Sequence, residues 1–307
     1  MKCAIFGLNR VGKSTLFRIL TNSSSKEGIL LLYDRRLDEL AKIFNPKKIT
    51  HAFIEISEIN NFDDKLLTYD LLILVVKNLE DFNELKFKML FFDLKIVEKR
   101  IENAKKTGNN KIVEVFSRLK EHLEGENFLS SITLDQSSLI LIRDVNFITK
   151  KPMIFVYNVF EGEEIDNSLL KELKKFDYLV SNLKLEEEAK NLSDSEREEF
   201  LKLYGFEPIY ENLIKLIRDK LGIILFFTAG EKEVRSWILR KGQTAKDAAG
   251  RIHSDLEKGF VRAEIISYDE FMEIKNFKLA KEKGLVRIEG KDYIVKDGDI
   301  IYIRSSI

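Results

Sequence analysis

The segment from Gly7 to Ser14 constrains the fold of this 307-residue chain more than any other. It reads GLNRVGKS and matches the pattern G-x-x-x-x-G-K-[ST]. The short apolar run KCAIF precedes it, and TLFRIL follows it with apolar residues at helical spacing. A glycine loop between a strand and a helix gathers backbone N–H groups around an anion and points the positive end of the helix dipole at it. The segment therefore predicts a phosphate-binding loop; an ordinary glycine turn is the alternative.

The loop pattern also assigns roles to individual side chains. Lys13 is expected to reach the β- and γ-phosphates of a nucleoside triphosphate, and the Ser14 hydroxyl is expected to bind Mg²⁺. The expected ligand is ATP or GTP with Mg²⁺. The nucleotide-binding residues predicted in this loop are Asn9, Arg10, Val11, Gly12, Lys13, Ser14 and Thr15.

Composition and charge limit the class of protein. Hydrophobic residues make up 44% of the chain and charged residues 33%, and no apolar run approaches the length of a membrane span. The 51 basic and 51 acidic residues cancel, so the net charge argues neither for nor against nucleic acid. Cys3 is the single cysteine, which excludes an internal disulfide, and we expect it to be buried in a strand. MKCAIFG has no signal-peptide pattern, so we expect a cytoplasmic protein with no membrane partner. We also expect a monomer.

Alternating strand and helix patterns predict a doubly wound, mainly parallel α/β sheet. Candidate strands lie at 2–6, 29–33, 50–57, 71–76, 151–158 and 178–183. A helix is predicted from Arg35 to Phe44, before Pro46. Two amphipathic segments on either side of TGNN interrupt the sheet pattern, and they predict an antiparallel helical hairpin of coiled-coil type. Its charged outer faces are either solvated surface or a binding arm.

The pattern changes once more from about Ile223. Short strand signals at EVRSWIL, GFVRAEII, LVRIEG, DYIV and DIIYIR surround a short helical segment, which predicts a small mixed α+β module. The sequence thus divides into a nucleotide-binding domain (1–82 and 148–222), a helical insertion (83–147) and a C-terminal module (223–307).

Several segments resemble the YchF subgroup of the Obg-like ATPases and GTPases. The stretch from Phe226 to Phe271 is very similar to the C-terminal TGS module of that subgroup, and GLVRIEGKDYIVKDGDIIYIR continues the similarity. IVEKRIE, PKKITHAFIEI and KPMIFVYNVFE resemble it too. The resemblance implies a P-loop NTPase domain, a coiled-coil hairpin and a β-grasp TGS domain. It also implies a cytoplasmic protein that associates with ribosomes or RNA, in some members with a preference for ATP over GTP.

By this resemblance, Asn158, Val159 and Glu161 line the base site. The segment NVFE has the form N-x-x-E, whereas most GTPases carry N-K-x-D, whose aspartate accepts two hydrogen bonds from guanine. The longer acid and the loss of the lysine should weaken guanine selection, while an Asn amide can pair with the edge of adenine. A strand-end loop with a solvated glutamate is the alternative. Residues 181–184 depart from the family pattern of the last nucleotide loop and receive no assignment.

The two switch regions of the family are shortened here. Ten residues, NSSSKEGILL, connect the first helix to Leu32, where the family has a longer loop with a metal-binding threonine. Glu58-Ile59-Asn60-Asn61 stands in place of the D-x-x-G motif, so the glycine that senses the γ-phosphate is missing. Glu58 is still expected to hold Mg²⁺ through a water, together with Ser14. The water-orienting histidine of the family has no counterpart, and no catalytic residue is assigned.

Three functions remain open from the sequence, and whether the chain is an enzyme is undecided. It could bind ATP or GTP with little or no hydrolysis and act through ribosome or RNA association. It could be an active ATPase or GTPase stimulated by a partner that supplies a residue in trans. It could be an RNA- or ribosome-binding module with a vestigial nucleotide site, using its hairpin and its C-terminal domain. A basic face or a plain solvated surface is formed in that domain by Lys232, Arg235, Arg240, Lys241, Arg251, Lys258 and Arg262.

Overall fold

A computed structural model describes residues 1–160 and 162–306, and within them the chain forms two compact units. Met1–Gly28 and Glu55–Leu216 form the first unit, and Ile29–Ile54 and Ile217–Ile307 form the second. The sequence interpretation assigned residues 29–54 to the nucleotide-binding domain, whereas the structure groups them with the C-terminal residues. The reason is packing, because the apolar face of a helix in this segment shares a core with the C-terminal strands.

Most helices and strands follow the predicted order with small shifts at their ends, but the strand predicted at 50–57 is divided into two strands, Ile49–Thr50 and Phe53–Glu58, which belong to different sheets. Up to the end of the helical hairpin the elements are β1 (Lys2–Phe6), α1 (Lys13–Thr21), β2 (Glu27–Leu31), α2 (Arg35–Phe44), β3 (Ile49–Thr50), β4 (Phe53–Glu58), β5 (Leu71–Val76), α3 (Leu79–Lys106) and α4 (Asn110–Glu124). Up to the C-terminal sheet they are α5 (Gln136–Leu141), β6 (Met153–Asn158), α6 (Asn167–Leu173), β7 (Asp177–Ser181), α7 (Leu183–Glu188), α8 (Asp194–Leu203) and α9 (Ile209–Leu221). The remaining elements are β8 (Ile223–Ala229), β9 (Val234–Arg240), α10 (Ala245–Ile252), α11 (Ser254–Lys258), β10 (Phe260–Ser267), α12 (Tyr268–Ile274), α13 (Phe277–Glu282), β11 (Arg287–Glu289) and β12 (Asp299–Ser305).

The first sheet has the strand order β2-β4-β1-β5-β6-β7. β1 pairs in parallel with β4 and β5, and β6 pairs in parallel with β5 and β7. Every residue of β5, LLILVV, is buried, as expected of a parallel strand that is covered on both faces. The predicted doubly wound sheet is therefore confirmed. Because the carboxyl ends of parallel strands meet at one edge, the segments after β1, β4, β6 and β7 converge there.

The predicted helical hairpin is present, but it begins at Leu79, four residues before the expected boundary. Buried side chains from α3 and α4, among them Leu85, Phe116 and Leu119, join the core of the sheet. Ion pairs cross the hairpin, for example Lys120 Nζ to Glu98 Oε1 at 2.8 Å. The hairpin is thus packed on the sheet through its base and is not an isolated arm.

The second unit contains a mixed sheet of order β11-β10-β12-β8-β9-β3. β3 pairs with β9 in parallel, and α2 adds Leu37 and Leu40 to a buried cluster that includes Phe227. The segment DYIV, predicted as a strand, forms one isolated bridge through Ile294. The strand signals in the sequence do not include β8, although it lies in the middle of this sheet. Among the described residues, no helix combines the length and apolar character needed to cross a bilayer.

Candidate functional site

Two glycines shape the loop between β1 and α1. A Cβ atom added to Gly7 would lie 2.4 Å from the carbonyl oxygen of Val75, and one added to Gly12 would lie 2.5 Å from Nδ2 of Asn158. Gly12 also has a φ of 107°, a left-handed conformation that side chains rarely adopt. The loop therefore needs glycine at both glycine positions of the G-x-x-x-x-G pattern, and its path is the one expected for a phosphate cradle.

Lys13 begins α1 and is anchored on the loop that precedes it. Its Nζ donates hydrogen bonds to the carbonyl oxygens of Gly7 at 2.9 Å and Leu8 at 2.6 Å. Burial lowers the pKa of Lys13, and the charge of Glu58 works against that shift. An ammonium group has three N–H donors, so one remains for a ligand. Within the described residues, no side chain caps the N-terminus of α1, which suits an anion there.

The two predicted magnesium ligands meet at the edge of the sheet. Ser14 Oγ donates a hydrogen bond of 2.9 Å to Oε1 of Glu58, the last residue of β4. The parallel register places Glu58 beside Ile5, just before the loop. Within the described residues, no group of three or more His, Cys, Asp or Glu side chains could hold a metal ion by itself. A hydroxyl and a carboxylate nevertheless fit Mg²⁺, which keeps waters and binds phosphate oxygens besides one or two protein ligands.

Of the predicted base-site residues, Asn158 lines the cleft and Val159 does not. The Asn158 amide bridges two loops: Nδ2 donates to the carbonyl oxygen of Val11 at 2.9 Å, and Oδ1 accepts from the N–H of Leu183 at 3.1 Å. The Val159 side chain is buried in the hydrophobic core and does not face the cleft, which differs from the expected role in the base site. Glu161 lies outside the described residues.

These elements surround a cleft of about 820 Å³. Of the predicted site residues, the cleft is lined by Asn9, Arg10, Gly12, Lys13, Ser14, Thr15, Glu58 and Asn158. Val11, also predicted to bind the nucleotide, is fully buried and does not line the cleft; its carbonyl oxygen accepts a hydrogen bond from the Asn158 amide. Lining residues that sequence reasoning missed are Lys26, Asn60, Phe160, Leu183, Lys184 and Glu187. The sequence signal that most of them share is their position, because they follow the carboxyl ends of strands β4, β6 and β7.

Polar contacts hold the rim of the cleft in place. Arg18 on α1 donates to Glu187 on α7, with Nε 2.6 Å from Oε1. On the other side, Asn60 bridges Lys26 and Glu58 in the amide orientation that satisfies both neighbours: Nζ of Lys26 lies 2.7 Å from its oxygen, and its nitrogen lies 3.2 Å from Oε1 of Glu58. The cleft thus carries cationic groups on several sides and a carboxylate beside the Ser14 hydroxyl.

Among the described residues, neither the histidines nor the predicted basic residues of the C-terminal domain line this cleft. His122 contacts the carbonyl oxygen of Phe128 through Nε2, and His253 caps α11. His51 stacks on Tyr33. The predicted basic residues of the second unit are exposed except Arg235, which is half-buried with its guanidinium carbon 3.8 Å from the ring centre of Trp237.

Comparisons with known proteins connect this geometry to one family. Residues 223–306 match the family described as YchF-GTPase_C, "Protein of unknown function (DUF933)". The chain is 31% identical to the "Ribosome-binding ATPase YchF" of Bacillus subtilis, and the alignment covers 100% of both chains. That alignment has 364 positions, 57 more than the 307 residues of this chain. It is 34% identical to the protein of the same name from Buchnera aphidicola (subsp. Schizaphis graminum), with 98% of each covered. The fold matches that of the Schizosaccharomyces pombe YchF GTPase with a TM-score of 0.87 at 24% identity, covering 99% of this chain and 97% of that one.

Proposed function

The chain belongs to the YchF family, as the sequence resemblance predicted, and we propose that it binds a purine nucleoside triphosphate and acts in the cytoplasm through association with ribosomes or RNA. The observation that carries the nucleotide part is the cradle at Gly7–Ser14, with Lys13 anchored on its carbonyls and Ser14 paired with Glu58. The ribosome part is supported by the names of the relatives, which are called ribosome-binding ATPases.

We further propose that the isolated protein hydrolyses the nucleotide slowly or not at all. Hydrolysis requires a positioned water and groups that stabilise charge at the γ-phosphate. Glu58 and Asn60, from the segment that stands in place of D-x-x-G, line the cleft, and Asn61 occupies the position of the glycine in that motif. Among the described residues no histidine lines the cleft. The name ATPase in the relatives favours a second candidate, an enzyme that becomes active when a partner completes the site.

A binding titration tests the first proposal. Isothermal titration calorimetry with ATP and with GTP, each with Mg²⁺, should give saturable binding of at least one nucleotide to the wild type. Lys13→Ala should weaken that binding at least about 100-fold, because a buried ammonium at the β- and γ-phosphates is lost. Lys2→Ala is the matched control, since it removes an exposed lysine at the opposite end of β1. Equal nucleotide binding by the wild type and Lys13→Ala would refute a nucleotide site at this loop.

Turnover on the same samples separates the two candidates. Phosphate release is measured for the protein alone and with purified ribosomes. Release at background in both cases supports the binding protein, whereas release that rises with ribosomes and disappears in Lys13→Ala supports the partner-activated enzyme. RNA or ribosome binding that is unchanged by nucleotide and by Lys13→Ala would instead identify a binding module with a vestigial site.

A further inference from the structure

Lys26 lies at the mouth of the phosphate cleft because the connection that carries it is short. α1 ends at Thr21 and β2 begins at Glu27, so Lys26 is the last residue before the strand. The N–H of Glu58 donates to the carbonyl oxygen of Lys26 at 2.8 Å, which fixes the start of β2 against the end of β4. The backbone of Lys26 is thus held at the edge of the sheet where Lys13, Ser14 and Glu58 meet.

The side chain of Lys26 points into the same cleft. In the Asn60 amide orientation that satisfies both neighbours, Lys26 Nζ lies 2.7 Å from the amide oxygen and the amide nitrogen lies 3.2 Å from Glu58 Oε1, which in turn accepts from Ser14. A continuous polar chain therefore runs from Lys26 to the residue after Lys13. Asn60 occupies one donor of the ammonium group and leaves two for a ligand.

Two cations that face one cleft repel each other, and an anion between them relieves that repulsion. Lys13 and Lys26 both line the cleft. The carboxylates that line the same cleft already have partners: Glu58 accepts from Ser14, and Glu187 accepts from Arg18. The cleft is consequently prepared for a ligand that has negative charge at its outer end as well as at the loop.

We propose that Lys26 binds the terminal phosphate of the nucleotide. Its ammonium group supplies positive charge at that phosphate, which would otherwise come from Mg²⁺ alone. This inference rests on the proposed nucleotide site. It makes Lys26 a residue that distinguishes triphosphates from diphosphates, positioned by Asn60 and by its backbone bond to Glu58. It also makes the triphosphate less dependent on Mg²⁺ than a site with Lys13 as its single cation.

Calorimetric titration of ATP and ADP, each in Mg²⁺ and in EDTA, tests the proposal on wild type, Lys26→Ala, Lys26→Arg and the control Lys2→Ala. Lys26→Ala should weaken ATP binding in EDTA by about fivefold or more and ADP binding by less than about twofold. Lys26→Arg should keep the affinity for ATP, because it keeps the charge, and Lys2→Ala should match the wild type.

Unchanged ATP affinity in Lys26→Ala, or an equal loss for ATP and ADP, would overturn the role of Lys26. Lys13→Ala in the same series separates this failure from that of the nucleotide site. If Lys13→Ala loses ATP while Lys26→Ala keeps it, the inference on Lys26 alone fails. If Lys13→Ala also binds ATP as the wild type does, both the proposed nucleotide site and the inference on Lys26 fail. Circular dichroism and thermal melting of Lys26→Ala should match the wild type, since the side chain is exposed.

Discussion

Ser14 Oγ and Glu58 Oε1 are joined by a hydrogen bond of 2.9 Å, although the two residues are 44 positions apart in the sequence. One belongs to the first turn of α1 and the other ends β4, and the parallel pairing of β1 with β4 brings them together. A hydroxyl and a carboxylate at this distance can both turn toward a cation that arrives with the phosphates. The pair is therefore the place where metal dependence of nucleotide binding should originate.

Glu58→Gln should reduce the dependence of ATP affinity on Mg²⁺. The amide keeps the size of the side chain and a possible contact with Ser14 but removes the negative charge that attracts the metal. We expect the gain in ATP affinity on adding Mg²⁺ to fall by roughly tenfold, which corresponds to about 1.4 kcal/mol. Titration calorimetry with and without EDTA measures it. Glu55→Gln, an exposed carboxylate on the same strand, should behave as the wild type, and an unaltered Mg²⁺ effect in Glu58→Gln would place the metal elsewhere.

Cys3 should be inert to thiol reagents in the folded protein. It lies fully buried in β1, and burial raises the pKa of its thiol to about 12. Ellman's reagent at pH 8 should therefore modify it only at the rate at which the sheet opens, and rapidly in urea. Nucleotide should slow the reaction if it stabilises the loop that follows β1. Rapid modification of the native protein would mean that β1 is not buried as described.

Stability should decline in acid partly through Asp34. Burial alone raises the pKa of this carboxyl, but hydrogen bonds and charges from Arg36, with a contribution from Arg218, bring it below its ordinary value. A lowered folded pKa means that the unfolded chain binds more protons, so stability is complete above about pH 4 and is lost as the pH falls. Asp34→Asn should lower the free energy of unfolding at pH 7 by about 2 kcal/mol and flatten its dependence on pH below 4. Urea titrations at pH 3–7 measure both effects; a parallel pH dependence in the variant would contradict them.

The Asp93 carboxylate should contribute strongly to the free energy of unfolding, because it ties the helical hairpin to the loop before β6. Its carboxylate is buried on α3 and accepts from the N–H groups of Ile148 and Thr149 at 2.9 and 2.7 Å and from the Thr149 hydroxyl at 2.6 Å. Asp93→Ala leaves three donors without this partner and should cost about 3 kcal/mol in urea unfolding. Lys88→Ala, which removes a partly exposed charge from the same helix, should cost less than about 0.5 kcal/mol.

The sequence predicted the parts of this molecule that depend on local patterns. The ends of β1, β5 and α2 agree with prediction because each has a clear apolar run or period and a clear stop. The local sequence could not predict which unit residues 29–54 belong to, because the apolar face of α2 does not specify which sheet will bury it. Asp93 illustrates the same limit: a single acid in a charged helix gives no sign that loop N–H groups more than 50 residues later will bind it.

The site shows a similar division. The loop pattern fixes Gly7, Gly12, Lys13 and Ser14, because phosphate binding needs those residues at that spacing. Val159 was placed in the base site by analogy with its position in the motif, whereas alternation along the strand end turns it into the core. Lys26 was missed because its role depends on where a short connection ends and not on a motif.

Asn158 provides a prediction that distinguishes a loop bridge from a base contact. Both polar atoms of its amide are already bonded, to the carbonyl oxygen of Val11 and to the N–H of Leu183. If that bridge is its main role, Asn158→Ala loosens the phosphate loop and should weaken ATP and GTP by the same factor, roughly tenfold. Selective loss of one nucleotide would instead show that the amide reads the base. Competition between ATP and GTP for the wild type and the variant measures the ratio. Asn212→Ala, which changes an amide on α9 that is not among the described residues lining the cleft, is the control and should leave both affinities unchanged.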